Sequence, residues 1–409
     1  MIPAVDGPLA GIRILAVEQY GAGPFVSMYL ADMGAEVIKI EDPGSPDGAG
    51  GDSSRSAGPH LLGPNDSQFF QTFNLGKKSL ALDIRKPEGR AAFDRLVTGA
   101  DVVLNNLRGD QPGKLGLTYA TLGALNPRIV CSHLSGYGRQ GERATWPAYD
   151  YLLQAEAGYL HLTGEPDGPP SRFGLSMVDY ITGMTLAFAT SAAVVGALKT
   201  GQGRDVDVSL YDVAMHQLTY PAAWYLNAGD ITQRRTRSGH PSTVPVELFP
   251  TADGHVFIMC ILEKFWLALC AELDLPDLPG DPRFATNEAR RENRAALIAR
   301  LDAVLTTRPT AVWLERLAGR VPVAPVLDLA QALDNPWFRH RGGVQALAHP
   351  AADPLFVLSN PIHLDGQRIA ARVAPPLGQD TEALLHEAGL SRDRIDDLVD
   401  RGIARRHET

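Results

Sequence analysis

From Gly11 to Leu210 the chain alternates short apolar runs of β type with stretches of helical character, and that order is the pattern of a parallel sheet covered by helices. GIRILAV reads as a first strand, with Pro24 placed to begin a helix running to about Met33. AEVIKIE, SLALDI, DVVLNN and RIVCSHL read as further strands, separated by helical stretches near Pro87 to Val97 and Tyr119 to Leu125. TGQGRDVDVSL reads as a turn and a strand, and Tyr211 to Leu226 as one more helix. Between the second and third strands, Asp42 to Ser67 is rich in Gly, Pro, Ser and Asp, and so long a structureless run is expected to be functional or disordered.

A change of texture marks the second half. NAGDITQRRTRSGHPSTVP is polar, basic and rich in turn formers, the composition of a linker or mobile loop. Beyond it, VELFPTADGHVFIMC predicts a strand pair, followed by helices at Phe265 to Leu273 and Asn293 to Leu305, as in a smaller α+β domain. The tail from about Leu347 has short strands and two closing helices, Asp380 to Ala388 and Arg392 to Arg401. The expected division is a large domain over 1–226, a linker and small domain over 227–335, and a segment over 336–409 returning to the large domain.

With 409 residues, 44% hydrophobic and 21% charged, the composition is that of a globular protein of two or three domains. A net charge of -9 argues against a nucleic-acid or anionic-membrane surface, because such partners need a broad positive field. Cys131, Cys260 and Cys270 form no framework and no C-x-x-C pair, which suits a reducing cytoplasm. The start of the chain lacks a basic segment followed by an apolar core, so no secretory signal is read there. The histidines are scattered without an H-E-x-x-H pair, and no metal site is expected.

The stretch GLSMVDYITGMTLAFATSAAVVGALK places Asp179 in front of 19 uncharged residues, Tyr180 to Leu198. A helix this apolar is expected to be buried on most faces, and Thr182, Thr185 and Thr190 argue against a membrane span despite its length. An acid in its first turn meets free N–H groups and the positive end of the helix dipole, which favour the ionised form. Asp179 therefore reads either as a carboxylate nucleophile or as a simple cap.

The turn Gly21-Ala22-Gly23-Pro24 lets the backbone approach a ligand and points a helix N-terminus at it. Glu41, closing the second strand, stands where a dinucleotide-binding fold keeps its ribose-binding acid. Val26 occupies the place of the third glycine in that fingerprint, so a nicotinamide-dependent oxidoreductase is a rival reading rather than the leading one.

Taken in order, PLAGIRIL, AGP, LADMGAEVIKIE, NLGKKSLALDI, ADVVLNN, SGYG, TGEPDGPP, the Asp179 step, TGQGRDVDVSL and PPLGQDT resemble the type III CoA-transferase family, which includes 2-methylacyl-CoA racemases. The resemblance runs from about Pro8 to about Ile403. It implies a Rossmann-like α/β large domain, a smaller α+β domain, and a homodimer in which two ring-like chains interlace. It places Asp179 at the catalytic aspartate, attacking an acyl-CoA to give a mixed anhydride and then an aspartyl-CoA thioester. Coenzyme A enters as substrate, with no tightly bound cofactor. The segments matching CoA contacts are Gly21 and Ala22, then Leu82, Asp83, Ile84 and Arg85, then Asn106, Leu107 and Arg108, then Lys114, and finally Ser135, Gly136, Tyr137 and Gly138. Arg85 and Lys114 are the expected phosphate ligands. Asp42 departs from the pattern, since some relatives carry a base there.

Racemases of the family carry Gly-His-Asp where this chain has Ala148-Tyr149-Asp150, 30 positions before the aspartate. A tyrosine, with an ordinary pKa of about 10, is a poor base for an α-proton, so transfer is favoured over racemisation. Asp150 reads as the N-cap of a helix over Tyr151 to Ala157. The region of Gly239-His240-Pro241-Ser242 lacks the glycine run of oxalate-using members, and an oxalate enzyme is not expected. His240 is a candidate contact for the acceptor acid, and Arg234, Arg235 and Arg237 favour a dicarboxylate acceptor. A racemase or epimerase, a nicotinamide oxidoreductase and a non-catalytic CoA-binding protein stay open as alternatives.

Overall fold

The computed structural model describes residues 7–44 and 50–407. Residues 1–6, 45–49 near the beginning of the Asp42 to Ser67 stretch, and 408–409 lie outside the described residues. Two compact units form: one from Met1–Leu153, Leu175–Gln217 and Trp337–Thr409, the other from Gln154–Gly174 and Leu218–Pro336. The segment Gln154–Gly174, which chain order leaves in the first domain, thus groups with the second.

The first unit is built on a seven-stranded sheet. Its strands are β1 (Arg13–Val17), β2 (Glu36–Glu41), β3 (Lys78–Leu82), β4 (Val102–Asn105), β5 (Val130–Ser135), β6 (Arg204–Ser209) and β7 (Ala404–Arg405). They lie in the order β7-β3-β2-β1-β4-β5-β6, all parallel except the C-terminal β7, which runs antiparallel to β3. Six of the seven thus take the 3-2-1-4-5-6 order of a dinucleotide-binding fold. In such a sheet the order in which strands are added reverses between β1 and β4, and loops leaving their C-terminal ends diverge to open a crevice.

The inner strands are buried on both faces because helices cover both sides, whereas the edge strand β6 alternates charged and apolar residues. Leu15, Ile38, Leu80, Val103 and Cys131 are fully buried together with Phe93 and Leu96 of the helix Pro87–Val97 and Leu384 and Leu398 of the C-terminal helices. Helix α1 (Ala22–Asp32) follows β1 directly, and helix α2 (Met177–Thr200) packs against α1, β5 and β6.

Two expectations change here. Helix α2 was expected to be buried on most faces; in the single chain Met184, Phe188, Val195 and Leu198 are exposed, Phe188 by 77%. The helix expected over Tyr211 to Leu226 is instead two, Leu210–His216 and Thr219–Ala228. Thr219 takes a positive φ of 44° at the break, which a continuous right-handed helix does not accept.

The second unit holds the three-stranded antiparallel sheet Val246–Pro250, His255–Met259 and Val323–Pro325. Its core centres on the buried Trp266 and Trp313 with Phe249, Leu297 and Leu301. The helices Glu263–Glu272 and Arg294–Leu305 fall within one or two residues of those read from the sequence.

Candidate active site

A cavity of about 600 Å³ opens at the C-terminal ends of the central strands of the first unit. The turn after β1 lines it with Gln19, Tyr20, Gly21 and Ala22, and the end of β4 contributes Asn106, Leu107 and Arg108. Leu134, Ser135 and Gly136 close β5 on a third side. Asp179, in the first turn of α2, and the run Trp146 to Tyr149 complete the wall.

Asp179 is half-buried. The free N–H groups of its helix do not bond its carboxylate, and among the described residues no other donor does. Burial, and then the neighbouring charge of Asp150, push its pKa from the ordinary 3.8 to about 7. The helix end was expected to favour ionisation; instead desolvation, with no hydrogen-bond donor to the carboxylate among the described residues, shifts the pKa upward. The result is a carboxyl group poised near neutrality, the placement expected of a reacting acid.

Asp150 opens the helix Asp150–Glu156, and its Oδ2 accepts the Asp179 N–H at 2.9 Å. Reading it as the cap of its own helix therefore missed what it holds. The signal was present in Tyr149-Asp150, an aromatic and an acid side by side, but nothing in the sequence joins them to a residue 29 positions on. Gln19, Tyr20, Ser53, Trp146 and Leu210 also line the cavity without having been singled out.

Two glycines of the cavity wall differ in how much room they have. A Cβ on Gly21 would lie 3.5 Å from Asp179 Oδ2, and one on Gly136 would stand 2.3 Å from the Cβ of Ala148. Only at Gly136 would a side chain force its neighbour to shift; at Gly21 a Cβ would make ordinary contact with the carboxylate.

A second, smaller cavity of about 210 Å³ lies at the ends of β1, β2 and β3 and contains Leu82, Asp83, Ile84 and Arg85, with Leu107 shared between the two. The bases expected to meet phosphates are already engaged. Arg85 donates to Asp83 at 2.7 Å and to Asp42 at 2.9 Å. Arg108 and Lys114 both reach Asp110, at 2.6 and 2.5 Å. Lys114, Tyr137 and Gly138 line neither cavity: Lys114 is exposed, the Tyr137 ring packs edge-on against Trp146 at 5.9 Å, and the Gly138 N–H bonds Ser135 Oγ at 3.0 Å.

Glu41 is not free to meet a ribose. Its carboxylate takes Arg55 Nε and Nη2 at 2.8 and 2.7 Å, Ser79 Oγ at 2.7 Å and the Asp52 N–H at 3.0 Å. The acid that raised a nicotinamide reading is a buried structural partner. In the second unit, Arg237 forms a two-pronged pair with Asp302 at 2.8 and 2.7 Å, and Arg234 donates to the carbonyls of Gly168 and Pro169. Two of the three arginines expected to favour a dicarboxylate are thus committed to the fold. His240 Nδ1 accepts the Ser242 N–H at 3.2 Å.

The arrangement is a carboxylate at a roomy, solvent-connected cavity between two helix N-termini, and comparison with known proteins gives it a family. The model of "CoA-transferase family III" matches residues 9–381. The human succinyl-CoA:glutarate CoA-transferase is 33% identical over 98% of this chain and 91% of its own length. The acetyl-CoA:oxalate CoA-transferase of Acetobacter aceti is 35% identical over 84% of this chain and 88% of its own. Among solved structures, a CaiB/BaiF family protein from Brucella suis superposes with a TM-score of 0.79 at 32% identity, covering 94% of this chain and all of that one. With a family match across nearly its whole length and relatives of this likeness, the chain belongs to family III of the CoA-transferases and is a CoA-transferase.

Proposed function

We propose that the chain moves CoA from an acyl-CoA donor to a small dicarboxylic acid, with Asp179 as the covalent carrier. The observation that carries this reading is the position of Asp179: the one acid lining the main cavity among the described residues, poised near neutrality by burial.

The ionised Asp179 carboxylate attacks the donor thioester carbonyl and expels CoA thiolate, leaving a mixed anhydride. The thiolate then attacks the aspartyl carbonyl, releases the donor acid and forms an aspartyl-CoA thioester. The acceptor carboxylate attacks that thioester, expelling the thiolate again. Attack of the thiolate on the acceptor carbonyl of this second anhydride yields the new acyl-CoA and restores Asp179. Each tetrahedral oxyanion needs donors where its charge develops, and the backbone N–H groups of Gly21 and Ala22, at the start of α1 and beside Asp179, are suited to supply them.

The CoA path runs along Asn106 to Arg108 and Ser135 to Gly136 toward the smaller cavity at Leu82 to Arg85, where Arg85 and Arg108 would exchange carboxylate partners for phosphate oxygens. The dicarboxylate assignment leans on the relatives, which act on glutarate and oxalate by name, and on Arg108, the only base lining the main cavity among the described residues. The chain works as an interlaced homodimer, consistent with the apolar face that α2 exposes, and in the cytoplasm. A racemase would need a second proton-transfer group at the α-carbon; besides Asp179 the described lining offers Tyr20, Tyr149 and Arg108.

Incubation with succinyl-CoA, a quench and mass spectrometry should find CoA or hydroxylamine-trapped mass on the peptide bearing Asp179. Asp179→Ala should remove that mass and reduce turnover to background. Undiminished turnover in the folded variant refutes the assignment.

A further inference from the structure

Beneath the turn that faces Asp179 lies a buried cluster of three acids and three bases: Glu18, Glu41 and Asp52 with Lys39, Arg55 and Lys77. Asp52 joins this cluster to the turn. Its Oδ2 pairs with Lys39 Nζ at 2.8 Å, and its Oδ1 accepts the Ser54 N–H at 2.8 Å. Both carboxylate oxygens accept the Tyr20 N–H, at 2.9 and 3.1 Å. The Asp52 backbone is fixed in turn by its N–H bond to Glu41, which Arg55 clamps from the other side. Burial alone would push the Asp52 carboxyl up, but Lys39 and these N–H groups hold it at about 2, so it stays charged.

Tyr20 needs such a hold. It takes a φ of +69°, a left-handed conformation that disfavours any residue with a Cβ. On one side, Gln19 exchanges two hydrogen bonds with Asn106, N–H to Oδ1 at 3.0 Å and Nδ2 to C=O at 2.8 Å. On the other comes Gly21, where an added Cβ would lie 3.5 Å from Asp179 Oδ2. The conformation of Tyr20 therefore decides where the Gly21 and Ala22 N–H groups point.

We propose that Asp52 is a positioning residue of the transfer reaction, holding Tyr20 in its left-handed conformation so that the Gly21–Ala22 backbone faces the Asp179 carboxylate. This rests on the reading of Asp179 as the covalent carrier. It differs from a purely structural role in what it controls: the aim of one turn rather than the stability of the sheet.

The test measures amide hydrogen exchange over the peptide from Glu18 to Phe25, together with kcat and KM for succinyl-CoA, in Asp52→Asn and Tyr20→Pro. Asp52→Asn keeps an acceptor of the same shape but loses the charge that meets Lys39. Tyr20→Pro leaves the buried charges untouched, removes the N–H, and cannot adopt the positive φ. Each is expected to lower kcat by about 100-fold, the scale of a displacement near 1 Å, with KM changed by less than about threefold. Exchange should quicken in that peptide while the strands of the sheet stay protected. Adding Tyr20→Gly to Asp52→Asn should recover part of the lost kcat, because glycine enters the left-handed region without penalty. A Tyr20→Pro enzyme with wild-type kcat overturns the proposal, as does Asp52→Asn exchange that rises across the whole sheet. Failure of the wild type to form the Asp179 adduct would sink the covalent reading instead, while the exchange measurement still reports whether Asp52 holds the turn.

Discussion

Asp179 carries an acid held near pH 7 by burial and by the charge of Asp150. With Asp179 as the proposed carrier, only its ionised form attacks, so kcat/KM should climb with rising pH through about 7 and level off above it. Asp150 raises the Asp179 pKa by repelling the second negative charge; removing that charge makes ionisation easier. Asp150→Asn, which keeps an oxygen to accept the Asp179 N–H, should therefore move the acidic limb of the pH profile to lower pH. A limb that stays in place or moves up would show that Asp150 does not set this charge balance. At this scale the sequence was half legible. An acid at the head of an uncharged run is visible in the order of residues, whereas its neighbour Asp150 and the partners that neutralise Arg85 and Arg108 depend on chain segments meeting in space.

Between elements, the contact of α1 with α2 fixes how Asp179 faces the turn after β1. Gly183 makes that contact possible: a Cβ there would come within 2.9 Å of Phe25 Cδ1 and 3.4 Å of the Ala22 carbonyl. Glycine inside a helix sacrifices about 1 kcal/mol of helix propensity, and close packing is what offsets it. Gly183→Val should therefore destabilise the fold by about 1–3 kcal/mol through overpacking, read as a lower urea midpoint. An unchanged midpoint would mean that the two helices separate freely. Strands and the better helices were readable from apolar runs and turn residues, because those signals are local. The break at Thr219 was not, since an apolar stretch through Pro221 looks continuous until the backbone is seen to turn at a positive φ.

For the whole molecule, the sheet order explains why residues from several separate loops share one cavity: strands 3-2-1 and 4-5-6 fan their connections apart at the middle. The exposed stripe of Met184, Phe188, Val195 and Leu198 on α2 is an apolar face of the kind that an association site covers. Sedimentation should find the wild type at twice the chain mass, and Phe188→Glu should shift it toward the monomer, because a charge buried in an apolar contact is costly. A monomeric wild type, or a variant as dimeric as its parent, would place the interface elsewhere. The sequence by itself determined the parallel α/β architecture, one strand pair and two helices of the smaller second unit, and the family, since apolar periodicity and motif order are written in neighbouring residues. Tertiary structure alone decided the protonation of Asp179, the engagement of the expected phosphate ligands with Asp42, Asp83 and Asp110, and the hold of Asp52 on Tyr20. Those properties arise from desolvation and charge pairing, and both depend on which distant segments the fold brings within a few ångströms.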